Sequence, residues 1–169
     1  EVLAREAGAT LLWRPTVEQI YPEDAVRIKA GEIGELFEGI RRRGHFDGVV
    51  TVVNRLFDIV QPRYAIFGEK DFQQLFLIKE MARRLHPEIK ILPAATVRES
   101  TGLALSSRNV RLTSEGRVVA DVISRVLHQA AEAESLADMK EELAKLGEQS
   151  SFILDYAEVI NEQTFDLAD

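Results

Sequence analysis

The stretch Arg63-Tyr64-Ala65-Ile66-Phe67-Gly68-Glu69-Lys70-Asp71-Phe72-Gln73-Gln74-Leu75, carried on to Ile89-Lys90-Ile91-Leu92, decides the fold. Arg63–Phe67 is short and rich in aromatic and branched side chains, as a strand requires. Phe72, Leu75, Phe76, Ile78, Met81, Ala82 and Leu85 recur at helical spacing, which predicts a helix over 71–85 with those side chains on its core face. Ile89–Leu92 reads as a second strand. Strand, helix and strand make a βαβ unit, whose right-handed crossover implies a parallel sheet with ligands bound outside the carboxyl ends of its strands. At that end stands Gly68-Glu69-Lys70-Asp71.

Working towards the N-terminus, Val49, Val53, Leu56 and Val60 predict a helix from about residue 47 to 61, which Pro62 ends. Ile33, Leu36, Phe37 and Ile40 form an i, i+3, i+4, i+7 stripe and predict a helix over 31–42 with a basic exit at Arg41, Arg42 and Arg43. Thr10–Arg14, apolar and stopped by Pro15, reads as a buried strand, and residues 1–7 as the last turns of a helix ending at Gly8. A helix at that place is the tail of a crossover, so the chain is expected to open in the middle of a fold. Towards the C-terminus, the reading is a loop over 99–111, a helix from Ser114 with Thr113 as its N-cap, an amphipathic helix over 136–146 ended by Gly147, and a strand over 153–160. There is no internal repeat.

The 169 residues suffice for a buried core, and the balance of 21 basic against 28 acidic side chains argues against a nucleic-acid partner. With no cysteine, disulfides, thiolate nucleophiles and cysteine-based zinc sites are excluded. No apolar run approaches the roughly 18–20 residues of a membrane span, and Glu1–Ala7 lacks the order of a signal peptide. A soluble, cytoplasmic protein is expected. The charge is uneven: residues 1–98 carry 15 basic and 14 acidic side chains, residues 99–169 carry 6 and 14. Two units are therefore expected, a partial Rossmann-like α/β domain over 1–98 and a smaller α+β lobe over 99–169.

Two loops carry candidate chemistry. In Gly68-Glu69-Lys70-Asp71 a glycine lets the backbone approach a ligand, and a lysine follows at a helix start whose free N–H groups favour an anion, phosphate above all. The competing reading is a polar turn with Asp71 capping the helix. In Gly102-Leu103-Ala104-Leu105-Ser106-Ser107-Arg108-Asn109, two hydroxyls and a guanidinium suit the phosphates of a nucleotide, because an Arg fork grips two oxygens at once. The competing reading there is a solvated linker. His45 reads as a capping or packing residue, His86 and His128 as residues of helical surfaces, and no spacing suggests a preformed metal cage, so any metal is expected to arrive with the nucleotide.

The run Gly44-His45-Phe46, with Gly48-Val49 and Thr51-Val52-Val53, then Phe67–Leu75, Thr96-Val97-Arg98-Glu99 and Gly102–Asn109, resembles the pantothenate synthetase (pantoate–β-alanine ligase) family, in order from Leu11 to the C-terminus. The resemblance implies a homodimeric enzyme of pantothenate and coenzyme A biosynthesis. ATP with Mg²⁺ adenylates pantoate, and the amine of β-alanine displaces AMP. It also implies that Gly68, Glu69, Lys70 and Asp71 line the ATP site, with Val97 on the adenine side and Leu105, Ser106, Ser107 and Arg108 as the phosphate-binding loop. Lys70 and Arg108 would be the catalytic pair, Gln74 would hydrogen-bond pantoate, and Thr51, Val52 and Val53 would form part of the pantoate pocket wall.

The chain departs from the family pattern at Pro93-Ala94-Ala95, where the proline is displaced, at Arg43, and after Tyr21-Pro22, where a few residues fewer are present. The family's His-x-Gly-His segment and the end of its second domain have no counterpart here, so weak nucleotide binding and little or no synthesis are expected of these residues alone. Two alternatives stand beside the enzyme reading: a non-catalytic nucleotide-binding module, and another adenylate-forming transferase, against which the Gln73-Gln74 pair argues.

Overall fold

The computed structural model describes residues 1–169. The expected βαβ unit is at its centre. Strand β1 (Tyr64–Gly68) and strand β2 (Lys90–Ala94) pair in parallel, with Tyr64 opposite Lys90 and Gly68 opposite Ala94. In chain order the helices are α1 (Val2–Glu6), α2 (Val17–Ile20), α3 (Glu38–Arg41), α4 (His45–Val60), α5 (Phe72–Leu85), α6 (Ser114–Ala131) and α7 (Leu136–Ala144). The sheet has only these two strands.

One face of the sheet is covered by α4 and α5. Ala65 and Phe67 of β1 and Ile91 of β2 pack against a buried cluster made of Phe46, Val50 and Phe57 from α4, Leu77, Ile78, Met81 and Ala82 from α5, and Ile89. Alternation along β1 sends Tyr64 and Ile66 to the other face, where both are exposed. A second, smaller cluster joins α6 to α7 through Val126, Ala130, Leu143 and Leu146. Thr113 caps α6 as expected, its hydroxyl accepting from the Gly116 N–H at 3.0 Å.

Three expected elements differ, two because a strand needs a hydrogen-bonding ladder and the third because two backbone segments pass close together. Thr10–Arg14 is not a strand: Leu11 is 84% exposed, and no ladder runs beside it. Ile153–Ile160 likewise forms no strand, its β character reduced to one antiparallel bridge between Ile160 and Leu167. The stripe over 31–42 does not make one helix but a 3₁₀ turn (Glu32–Glu35) followed by the single turn α3. The break falls at Phe37, whose φ of 44° leaves the helical region so that Gly39 can pass against Gly34.

His86 was expected on a helix surface. It is buried at the end of α5 instead, with Nε2 2.8 Å from Asn54 Oδ1 and its ring edge-on to Phe57. The partner comes from α4, 32 residues away, which local spacing does not reveal.

Candidate functional site

The chain leaves β1 at Gly68, passes through a 3₁₀ turn over Glu69–Asp71 and enters α5. Asp71 occupies the N-cap position, but its side chain makes no cap hydrogen bond. The turn reading of this tetrapeptide required that bond. Its carboxylate lies instead 3.7 Å from the Lys70 ammonium, and both side chains reach an open cleft of about 600 Å³.

Gln74 lies on the same side of α5, one turn beyond Asp71, and lines the cleft with Lys70 and Asp71. Arg108 enters from the second candidate loop. That loop is not a solvated linker. Arg98 and Ala104 form an antiparallel bridge, and the Leu105 N–H donates to the Val97 carbonyl at 2.9 Å, folding residues 97–105 into a hairpin. The Ser106 hydroxyl accepts from the Arg108 N–H at 3.1 Å and starts a 3₁₀ helix over Ser107–Arg111 that carries the guanidinium.

The anchor of this hairpin is Glu99. It accepts from Asn109 Nδ2 at 2.9 Å and from Arg117 Nη1 on α6 at 2.9 Å, while Asn109 Nδ2 also donates to the Ala104 carbonyl at 3.1 Å. The Asn109 hydrogen bond and the Arg117 charge hold the Glu99 carboxyl below its ordinary value near 4.5. A depressed folded value means that the tether is complete above pH 4.5 and is lost as pH falls through the folded value. Amide protection across 97–109, taken relative to the intrinsic exchange rate at each pH, is therefore expected to drop as pH falls through the folded value, and Glu99→Gln should remove that acid step while lowering protection at pH 7. A wild-type exchange profile without an acid step in this segment would contradict the tether.

The remaining walls come from residues that pattern reading did not select. Arg42 and His45, at the turn into α4, line the cleft, as do Tyr156, Glu158, Ile160 and Phe165 from the C-terminal segment. Burial and the neighbouring Arg42 hold the His45 imidazole below its ordinary value, so it is neutral at pH 7. Burial and the carboxylates of Glu38, Asp155 and Asp71 push the Tyr156 phenol up, which keeps it a hydrogen-bond donor. Phe165 is 4% exposed, packs against Phe37, Phe72 and Phe76 with ring centroids at 5.8, 6.3 and 5.0 Å, and lines the cleft. No local spacing announces these contacts, since Phe165 lies 93 residues beyond Phe72.

Lys70, Asp71, Gln74 and Arg108 thus meet in one cavity, and five of the other expected site residues stand beside it. Gly68 and Glu69 form the approach from β1, while Leu105, Ser106 and Ser107 lie on the hairpin and turn that deliver Arg108. Val97 pairs with Leu105 and is 66% exposed. Thr51, Val52 and Val53 are not brought to this cleft. Thr51 is about two-thirds of a turn out of phase with His45 on α4, and it lines a separate cavity of about 840 Å³ with Tyr21, Arg55 and His86. Its hydroxyl bridges the Ile28 backbone there, accepting from the N–H at 3.0 Å and donating to the carbonyl at 3.3 Å. Val53 packs on the main core.

The cleft holds three cations, Arg42, Lys70 and Arg108, against three carboxylates, Glu38, Asp71 and Glu158. The negative charge of the whole chain therefore does not describe this site, which can bind an anion and a cationic group side by side.

Comparison with known proteins agrees with the resemblance read from the sequence. The family profile described as pantoate-beta-alanine ligase matches residues 1–168. Pantothenate synthetase from Chlorobium luteolum is 42% identical over 99% of this chain and 62% of its own length. The enzyme of that name from Thermus thermophilus is 43% identical over 96% and 61%. In structure, the chain is similar to the crystal structure of a Thermus thermophilus pantothenate synthetase, with a TM-score of 0.82 at 42% identity, covering 99% of this chain and 63% of that one. It is also similar to a pantoate-beta-alanine ligase from Francisella tularensis complexed with beta-gamma ATP and beta-alanine, with a TM-score of 0.69 at 34% identity, covering 87% and 56%. The chain spans about three-fifths of the length of the curated relatives it matches.

Proposed function

Because this chain belongs to the pantoate-beta-alanine ligase family, we propose that its cleft is the nucleotide and pantoate site of an ATP-dependent ligase. The reaction joins pantoate to β-alanine. The pantoate carboxylate attacks the α-phosphorus of ATP, pyrophosphate leaves, and the amine of β-alanine then displaces AMP from the pantoyl adenylate to give pantothenate. The observation that carries this reading is the meeting of Lys70, Asp71 and Gln74 with Arg108 in one cavity, although 34 residues separate Gln74 from Arg108.

The roles follow from charge. Attack at phosphorus builds negative charge on the non-bridging oxygens and on the leaving pyrophosphate, so a catalyst needs fixed positive charge and alignment more than it needs covalent chemistry. Lys70 and Arg108 supply two such charges from two separate loops lining the cleft, and the N–H groups at the start of α5 add the positive end of its dipole. Gln74, an uncharged donor and acceptor one turn further along, is suited to the hydroxyl and carboxylate oxygens of pantoate. Gly68 and Glu69, with Val97 and Leu105–Ser107, complete the nucleotide side in this reading.

No three His, Cys, Asp or Glu side chains converge as a metal cage. In this reading magnesium comes in on the triphosphate and keeps water and phosphate oxygens as most of its ligands. Among the three cleft carboxylates, Asp71 and Glu158 would hold it, and the ion would offset charge on the leaving group. The reading also includes a division near residue 98, supported by the two separate hydrophobic clusters. A homodimer and a cytoplasmic location rest on the resemblance to the family. No helix is long and apolar enough to cross a membrane.

Calorimetric titration with ATP, with and without magnesium and pantoate, tests the proposal. Saturable binding that magnesium strengthens and that Arg108→Ala weakens is the expected result. Nucleotide binding indifferent to both Lys70 and Arg108 would remove the cleft from consideration.

A further inference from the structure

We infer that Gln73 is a positioning residue, clamping the Phe37–Arg42 wall of the cleft to the Lys70–Gln74 wall; this rests on the nucleotide-site reading above. Gln73 is in the first turn of α5, next to Gln74, and is 9% exposed. Its Nε2 donates to the carbonyls of Ile33 at 2.7 Å and Leu36 at 2.9 Å, while its Oε1 is buried without a partner. The opposite amide orientation would set oxygen against two carbonyl oxygens, so the contacts fix the assignment. An orphaned buried acceptor is costly. A plain core position would be better filled by an apolar side chain, so the amide is held there by what its NH₂ group does.

What it holds is the corner over residues 33–39, which is strained. Phe37 has φ 44° and ψ −109°, a region glycine favours, and a Cβ on Gly39 would collide with the carbonyl oxygen of Gly34. The corner presents the Phe37 ring to Tyr156 at 5.3 Å and to Phe165 at 5.8 Å, and Glu38 and Arg42 to the cleft. One side chain therefore ties the two walls that carry Lys70 and Arg42. No other side chain hydrogen-bonds to these two carbonyls.

The test compares the parent chain with Gln73→Met, which keeps length and apolar volume and removes both donors, by amide exchange over 33–42 and by titration with magnesium–ATP. Expected are exchange at the Gly39 and Ile40 amides faster by about tenfold and nucleotide affinity lower by about tenfold, with α6 unchanged. Affinity retained despite faster exchange would make Gln73 merely structural, and unchanged exchange would mean it is no clamp. Phe37→Leu keeps the clamp but removes the ring contact, and should weaken binding by about threefold without faster exchange at Gly39. Should Gln73→Met fail to fold, unchanged affinity in Phe37→Leu overturns the inference. If the parent chain binds no nucleotide, the functional reading fails, and the exchange data still decide whether Gln73 holds the corner.

Discussion

Replacing Lys70 by alanine in the full-length enzyme is expected to lower the rate of pantoate-dependent pyrophosphate release by about 10²–10³-fold, the scale of losing one preorganised electrostatic contact to a transition state. The fall should be in turnover more than in the KM for pantoate, because in the proposed reaction the ammonium acts on charge that develops at the phosphates. Lys70→Arg should recover part of the loss, since charge is kept while the point geometry of the ammonium is not. Lys70 starts from a long ion pair with Asp71 at 3.7 Å, in which the lysine side chain is 38% and the aspartate side chain 65% exposed. That pair is weak, so little stabilisation must be surrendered when a phosphate arrives. Near-normal turnover in a full-length enzyme carrying Lys70→Ala would refute the role.

The second large effect concerns the C-terminal segment. Phe165→Ala removes a buried ring from contact with Phe37, Phe72 and Phe76. Truncating a buried phenylalanine costs about 3–5 kcal/mol where the site cannot collapse. The loss here is capped by the free energy with which residues 153–168 dock, because the segment can detach before α4 and α5 unfold. The expected outcome is therefore local. Exchange at the amides of Asn161, Phe165 and Ala168, now bonded to Asp166, Asn161 and Val159, should become fast, while the α4–α5 core keeps its protection. Magnesium–ATP affinity should fall with it, since Tyr156 and Glu158 leave the cleft wall. The φ of 67° at Phe165 suits glycine better than alanine, so Phe165→Gly should restore the turn over 161–166 in part without restoring the cleft. Protection of the segment unchanged in Phe165→Ala would show that the ring is not its anchor.

The legible parts of this protein were those set by short-range pattern. The 71–85 helix, the strands flanking it, the Thr113 cap and the helix over 47–61 each rest on side-chain periodicity, a stop residue or a capping hydroxyl, and the structure reproduces them within two residues. The site was half legible for the same reason. Lys70, Asp71 and Gln74 lie within one turn of a helix start, and Arg108 lies in a loop of hydroxyls and a guanidinium. His45 was read as a packing residue because a lone histidine has no chemical signature, yet the turn at Gly44 brings it to the cleft. The burial of His86 is not legible locally, because its partner is on another helix.

By itself the sequence determined a βαβ unit, a polar turn poised at its carboxyl end, a charge division near residue 98 and a resemblance to one ligase family. All of these are carried by residues that interact within about one element of each other. The tertiary structure decided which expected strands exist, because a strand is a property of a ladder and Thr10–Arg14 and Ile153–Ile160 have none. It decided that the 31–42 stripe breaks at Phe37, because Gly34 and Gly39 meet there and Gln73 holds the corner. It also decided that the cleft has a wall from the far end of the chain, since contacts such as that of Phe165 with Phe72 are set by burial in three dimensions and leave no periodicity along one.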